Sequence, residues 1–528
     1  MVYYFFSLTK LHFTPSNPLL TPKPKVKLCL AAFFCQTMLN QIQLKMKKLG
    51  KPVLSWALAL IVLFVTAIRC SDDKKSTPAP TQSIVALASA NTNLTSLVAA
   101  LSKFPDLVST LSGTGNFTVF APTNQAFTKL LADIGQTDIN NVPDNVLKSI
   151  LQYHVVSSAA LKSTQLTAGN VNTVANENIA VTLNPIKLNG TVNVTTPDVL
   201  ASNGVVHIVD AVLVNPTIAP VVGTVVAPAY FSKGFSILTA AVVKAGVLSA
   251  LLDKTKQYTV FAPTNAAFIA NLGASNEAAA ISAVNALSQT AVADLLNFHV
   301  LNTEIKAGAI AVGTSSVTTI RATNNRAFVT KVGSAVTINN ARVTTADIDV
   351  NNGVVHVIDA VLTPPVGDIV AVATSAANAA NFNILVAALT KAGLVPTVQG
   401  TGPFTVFAPT DAAFLTLLSA VFGTNVDEPT ALSFINNTIS ETSTPLNLPT
   451  LTSILTYHVV SGAAYSINLT NSQVLTTVKS GAPNTIVVGI TGSTVTIDGS
   501  GSLPSTVAPA NISATNGVVH VIDRVMQF

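Results

Sequence analysis

The chain has 528 residues, of which 49% are hydrophobic and only 10% charged, against about 25% charged in an ordinary soluble domain. Its net charge of +5 is concentrated at the front, where Lys10, Lys23, Lys25, Lys27, Lys45, Lys47, Lys48, Lys51 and Arg69 face no acid; taking those nine from 28 basic residues leaves 19 against 23 acids. The rest is mildly acidic and lacks the basic stripe that grips a phosphate backbone, which excludes nucleic acid as a partner.

Residues 1–45 carry no acid and no sustained periodicity. They read as an extension upstream of the true start, with Met46 as the initiator. Met46-Lys47-Lys48-Leu49-Gly50-Lys51 is a charged opening, and Val53 to Ile68 is an apolar run broken only by Ser55 and Thr66. That is the layout of a signal peptide over 46–69, and the run is shorter than the roughly 20 residues of a spanning helix. Cys70 then resembles the lipid-attachment residue of a bacterial lipoprotein, and Asp72-Asp73 resembles the acidic tract of surface-exported ones. Arg69 stands where such signals carry a small residue, so plain secretion or an uncleaved anchor is the other reading. Residues 70–82, with Pro78 and Pro80, form a stiff tether. Cys29, Cys35 and Cys70 are the only cysteines, so everything after the tether must be held by packing alone.

A helix follows, because Leu94, Leu97, Val98 and Leu101 fall on one face of a 3.6-residue period. Phe117-Thr118-Val119-Phe120 is aromatic and β-branched, hence a strand. Pro122 ends it, and Thr123 is suited to cap the next helix, whose buried face is Phe127, Leu130 and Leu131. Tyr153-His154-Val155-Val156 comes next, then alternating stretches such as Val192-Asn193-Val194. Asn203-Gly204 is a tight-turn signal leading into the strand Val205 to Val209. Helices come first and strands dominate the second half, which is the α+β class.

The whole series is then repeated twice. Phe117–Asn124 returns as Tyr258–Asn265 and as Phe404–Asp411, about 140 to 150 positions apart; Tyr153-His154 returns as Phe298-His299 and Tyr457-His458; Asn203–Asp210 returns as Asn352–Asp359 and Asn516–Asp523. A period that long means an array of domains, each large enough to bury a core of its own. Asp411 replaces asparagine in the third copy, at a helix start where the dipole favours an anion. Asn215-Pro216 to Gly223 and Thr363 to Gly367 read as short, proline-stiffened linkers, and Phe422 to Pro449 as an exposed polar loop.

These three boxes, in this order, resemble the fasciclin (FAS1) domain. The resemblance implies three tandem domains at 83–215, 222–363 and 367–528, each a wedge of about seven β-strands packed with α-helices. It also implies extracellular adhesion: binding of extracellular matrix, polysaccharide or a cell-surface protein, with the membrane reached through the lipid anchor. The location implied is the cell envelope, as an outer-membrane lipoprotein exposed at the surface. In animal members an Asp-Ile pair upstream of the last box is implicated in contact with receptors. The matching positions are Asp198-Val199 and Asp347-Ile348, whereas Asn511-Ile512 lacks the carboxylate. A surface stalk or scaffold without a dedicated ligand is the alternative.

Six histidines occupy repeated positions: His154, His299 and His458, and His207, His356 and His520. Histidine is the usual neutral-pH acid, base and metal ligand, yet the pattern points to core residues. His207 shares a strand face with Val205 and Val209, while Asp210 points the other way and cannot orient the ring. No repeated cysteine or carboxylate completes a metal shell. No nucleophile elbow or phosphate-binding glycine loop is present. The expectation is a non-enzyme with no catalytic residue, no metal and no cofactor.

Overall fold

Each repeat is built around the strand of its Phe/Tyr-Thr-Val-Phe-Ala-Pro box. The computed structural model describes residues 80–528 apart from Pro445 and Ser502; the stretches read from sequence as an upstream extension (1–45) and a signal peptide (46–69), together with Cys70 and most of the expected tether, lie outside the described residues. In the first repeat the strands are β1 (Phe117–Pro122), β2 (Val155–Val156), β3 (Gly169–Asn172), β4 (Asn178–Thr182), β5 (Lys187–Leu188), β6 (Val192–Ala201) and β7 (Gly204–Val209). They form one sheet in the order β2-β1-β7-β6-β5-β4-β3. The two signature boxes are neighbours in it: β1 runs parallel to β7, with Phe117 opposite Gly204 and Pro122 opposite Val209.

That pairing explains the glycine. A Cβ at Gly204 would lie 2.2 Å from the Phe117 carbonyl oxygen, and Gly353 and Gly517 face the same obstacle at 2.0 Å from Tyr258 and Phe404. Only glycine lets the strands close there.

The second repeat has a sheet of seven strands with the same order of boxes, and the third divides its strands into two sheets of four. Thr123, Thr264 and Thr410 each cap the helix that follows, accepting the amides of Ala126, Ala267 and Ala413 at 3.2 Å. In the third repeat Phe422–Pro449 departs from the exposed loop expected of so polar a stretch. It contains the helix Glu428–Ser433 and a π-turn Phe434–Thr438, and Ile435, Ile439 and Leu446 are buried in that repeat's apolar core.

The first linker also differs from expectation. Ile218 and Val221 are buried within one apolar cluster that runs from Ile84 to Val361 and takes in both of the first two repeats. Asn215 anchors the segment, its Oδ1 accepting the Ile218 amide at 3.0 Å and its Nδ2 donating to Ser149 at 2.9 Å. Gly223 donates to the Asp133 carbonyl at 2.9 Å, and Gln136 Nε2 to the Pro228 carbonyl at 3.1 Å. Lys103 and Lys233, one from each repeat, both reach Asp144, at 3.4 and 2.9 Å. The third repeat keeps a separate interior and meets the second through Phe328. Ala327 and Val329 on that strand face the second repeat's own core. Phe328, pointing the other way, is buried against Ala463, Tyr465 and Val518.

Candidate functional site

The histidines are the groups with most chemical potential, and each is held at both nitrogens. His154 follows the helix Asp144–Tyr153. Its Nε2 accepts the Leu213 amide at 2.8 Å, so the ring proton sits on Nδ1, 2.8 Å from the Ile150 carbonyl. His299 repeats this with Leu362 and Leu295 at 2.9 and 2.8 Å. His458 repeats it with Met526 and Ile454 at 2.9 and 2.7 Å. A backbone N–H can only donate, so all three rings are neutral acceptors at Nε2. Burial pushes each down to about 4, against a smaller opposing pull from the helix carbonyl.

The second histidine has the opposite tautomer. His207 lies on β7, stacked on Phe120 with ring centroids 5.6 Å apart. Its Nδ1 accepts the Asp198 amide at 3.3 Å, leaving the proton on Nε2 to bond the Leu161 carbonyl at 2.8 Å. His356 and His520 make the same pairs, with Asp347 and Ile305 and with Asn511 and Ala464. Asp210, as its strand position requires, faces away and binds the amide and side chain of Asn193.

Asp198 and Asp347 sit at a bulge in the strand before the last box, where the register shifts between Thr196 and Val199 and between Thr345 and Ile348. Both adopt positive φ, 64° and 58°, as does Asn511 at 65°; Asp and Asn tolerate that region best after glycine. The Asp198 carboxylate accepts the Ser163 amide at 2.6 Å and bonds the Ser163 hydroxyl. Desolvation there pushes the carboxyl up, but the two Ser163 bonds outweigh it and the net direction is down. Asp347 accepts the Ala307 amide at 2.8 Å, and Asn511 accepts that of Ser466 at 2.7 Å. The element common to all three copies is therefore a side-chain oxygen that closes a loop onto the bulge, not a carboxylate.

This arrangement cannot work as a triad. Ser163 bonds the carboxylate rather than a histidine, alanine replaces it in the second copy, and the ring nitrogens are occupied by backbone. Among the described residues no group of three or more His, Cys, Asp or Glu is placed to hold a metal. Of the neighbours, Val199 is half-buried and Ile348 packs into the joint between the first two repeats.

One structural residue was not foreseen. Asn203, expected only as a turn residue, is buried with three bonds: Oδ1 accepts from Ile84 at 3.0 Å, and Nδ2 donates to Leu111 and Gly113, both at 2.8 Å. Asn352 and Asn516 do the same. The turn propensity of Asn-Gly masked this role; the recurrence of Asn rather than Asp before each glycine was the available signal, since only an amide both donates and accepts.

Comparison with known proteins agrees with this architecture. The Fasciclin domain family model matches residues 92–215, 233–364 and 380–528. Transforming growth factor-beta-induced protein ig-h3 of Sus scrofa is 27% identical over 419 residues, covering 79% of this chain and 53% of its own length. Human periostin is 29% identical over 313 residues, covering 58% of this chain and 34% of its own. The chain thus spans about half or less of the length of these two relatives. The solved FAS1 domain pair from the insect cell adhesion molecule fasciclin I is 20% identical, with a TM-score of 0.26, over 55% of this chain and 96% of that one. With its three signature boxes paired in the sheet of every repeat and the family match covering most of its length, the chain belongs to the fasciclin domain family.

Proposed function

We propose that the protein is a cell-surface adhesion molecule that binds extracellular matrix, polysaccharide or other cells through its fasciclin domains and performs no catalysis. One observation carries this reading: every repeated histidine is consumed by internal hydrogen bonds. What the repeats leave for partners is an exterior poor in charge, suited to neutral surfaces such as polysaccharide. Tethered domains add avidity, which raises effective affinity about 10²–10⁴-fold without new contacts. Asp347, with a side chain 38% exposed, is better placed than Asp198 to reach a partner. Cys70 carries the lipid and holds the array at the outer membrane.

The test is adhesion of cells with and without the chain to immobilised polysaccharides and matrix proteins. Equal adhesion to every surface overturns the reading. Incorporation of labelled palmitate, lost in Cys70→Ala, checks the anchor.

The spacer alternative draws support from the apolar interior shared by the first two repeats, which stiffens the array. Under it, adhesion follows the length of the chain and is indifferent to substitutions on its surface.

A further inference from the structure

The joint between the first two repeats is a lock whose second keyhole stands open. In the second repeat, a groove between Pro228 and the strands carrying Ile348 and Val357 receives the turn that ends the first repeat's helix Asn124–Asp133. Gly135 sits so close that a Cβ on it would meet Ile348 Cγ2 at 2.7 Å and Pro228 Cγ at 2.8 Å. Gln136 and Asp133 clamp the turn from either side, through the Pro228 carbonyl and the Gly223 amide. Pro228 and Val357 are buried as a result.

The first repeat has the same groove. The equivalence is fixed by shared bonds: Ile84 and Val225 donate to Asn203 and Asn352, and Ser202 and Asn351 to the carbonyls of Gln82 and Gly223. Leu87 therefore takes the place of Pro228, Val199 that of Ile348 and Ile208 that of Val357. With Ala90 and Thr92 they line a groove of about 320 Å³. Leu87, Val199 and Ile208 are only half-buried there. Asn91 and Thr92 add polar atoms to an otherwise apolar lining that carries no charge, so an uncharged filler suits it.

The third repeat carries such a filler at the far end of the chain. Its helix Asp411–Phe422 ends on Gly423 at φ 69°, as the first repeat's helix is followed by Gly135 at φ 67°. Gly423, Thr424 and Asn425 are exposed, and a Cβ on Gly423 would meet nothing within 4 Å. We propose that the Val421–Asn425 turn of one copy docks into the Leu87–Val199–Ile208 groove of a second copy. The contact reproduces, between chains, the joint that links the first two repeats within one. The Val421 carbonyl, two residues before its glycine as Asp133 is, takes the Gln82 amide in the role of Gly223. A head-to-tail contact of this kind does not close on itself and builds open chains of protein. It is independent of any adhesion ligand.

The test places the photo-cross-linker p-benzoylphenylalanine at Thr92 in the full chain, in mild detergent, and maps the products by mass spectrometry. The expected result is a ladder of dimer and higher species, with the cross-link in Val421–Asn425 of a second copy. Gly423→Asn, which tolerates the left-handed backbone but fills the contact, and Leu87→Asp each cut the product about tenfold or more, the equivalent of about 1.4 kcal/mol. Unchanged melting of both variants shows that the fold survives. Absence of an intermolecular product, a product indifferent to both substitutions, or a cross-link to residues before Pro80 each overturns the proposal.

Discussion

Nε2 of His154 accepts the amide hydrogen of Leu213 at 2.8 Å, tying the end of a helix to the segment that leaves β7. The bond exists only while the ring is neutral, and His299 and His458 make it in the other two repeats.

The first prediction follows from that bond. Burial pushes these three rings, and His520, down to about 4, against about 6.5 in the unfolded chain. A depressed histidine contributes its stability above the unfolded value, and loses it as the pH falls through 6.5 toward 4, because the unfolded chain then binds protons that the folded one refuses. Denaturant midpoints should be flat above pH 7 and drop steeply between pH 6 and 4. His458→Leu should lower stability at pH 7 and make the acid slope shallower; an unchanged slope would count against the buried-neutral ring.

The second concerns Phe328. Its ring fills the contact with Tyr465 and Val518, where burial also pushes the Tyr465 phenol up. Arg326 braces the same edge, donating to the Thr401 carbonyl at 2.7 Å. Truncation of a buried phenylalanine costs about 3–5 kcal/mol. Phe328→Ala should let the third repeat melt apart from the first two, as a second calorimetric transition, while the Ala327 and Val329 side of the strand stays packed.

Asn352 supplies the third. Replacing it with alanine removes three bonds and leaves the Val225 amide and the Leu251 and Asp253 carbonyls without their partner. A loss of about 3 kcal/mol or more is expected, at about 1 kcal/mol or more per stranded group, measured by denaturant unfolding. Asn352→Asp keeps the acceptor and loses the donor, so it should not restore stability.

Asp411 gives the fourth. It accepts the amides of Ile384 and Asn383 at 2.8 and 3.1 Å. Desolvation, aided by Glu428, nevertheless pushes its carboxyl up despite those bonds. Asn124 and Asn265 do the same work without a charge. Asp411→Asn should raise stability by about 1 kcal/mol at pH 7. A carboxyl raised in the folded state binds its proton more tightly than in the unfolded one, so the wild-type chain gains on acidification and the advantage of asparagine shrinks as the pH falls. Parallel pH curves for the two proteins would refute this.

Much of the fold was legible because it is local. The strand-to-helix step at Thr123 and the interior face of His207 follow from cap chemistry and the two-residue period, and both recur three times. What escaped is non-local. Ile218 and Val221 sit in a segment with linker composition, and nothing in the sequence says that a neighbouring repeat will cover them. Phe328 reads as an ordinary strand residue until the third repeat arrives on its outer face. The helix and turn inside Phe422–Pro449 were hidden by Thr, Asn and Ser, although Ile435 and Ile439 lie one helical turn apart. At the candidate site, the positions of Asp198 and Asp347 were legible, but not their occupation, since Ser163 and Ala307 lie far upstream.

The burial of Ile218 and Val221 also governs how the molecule would answer tension. Pulled from its two ends, the chain has no slack to surrender between its first pair of repeats, where separation would wet a shared interior. The weaker seam is the one around Phe328, so the last repeat is the part that peels away under load while the leading pair holds.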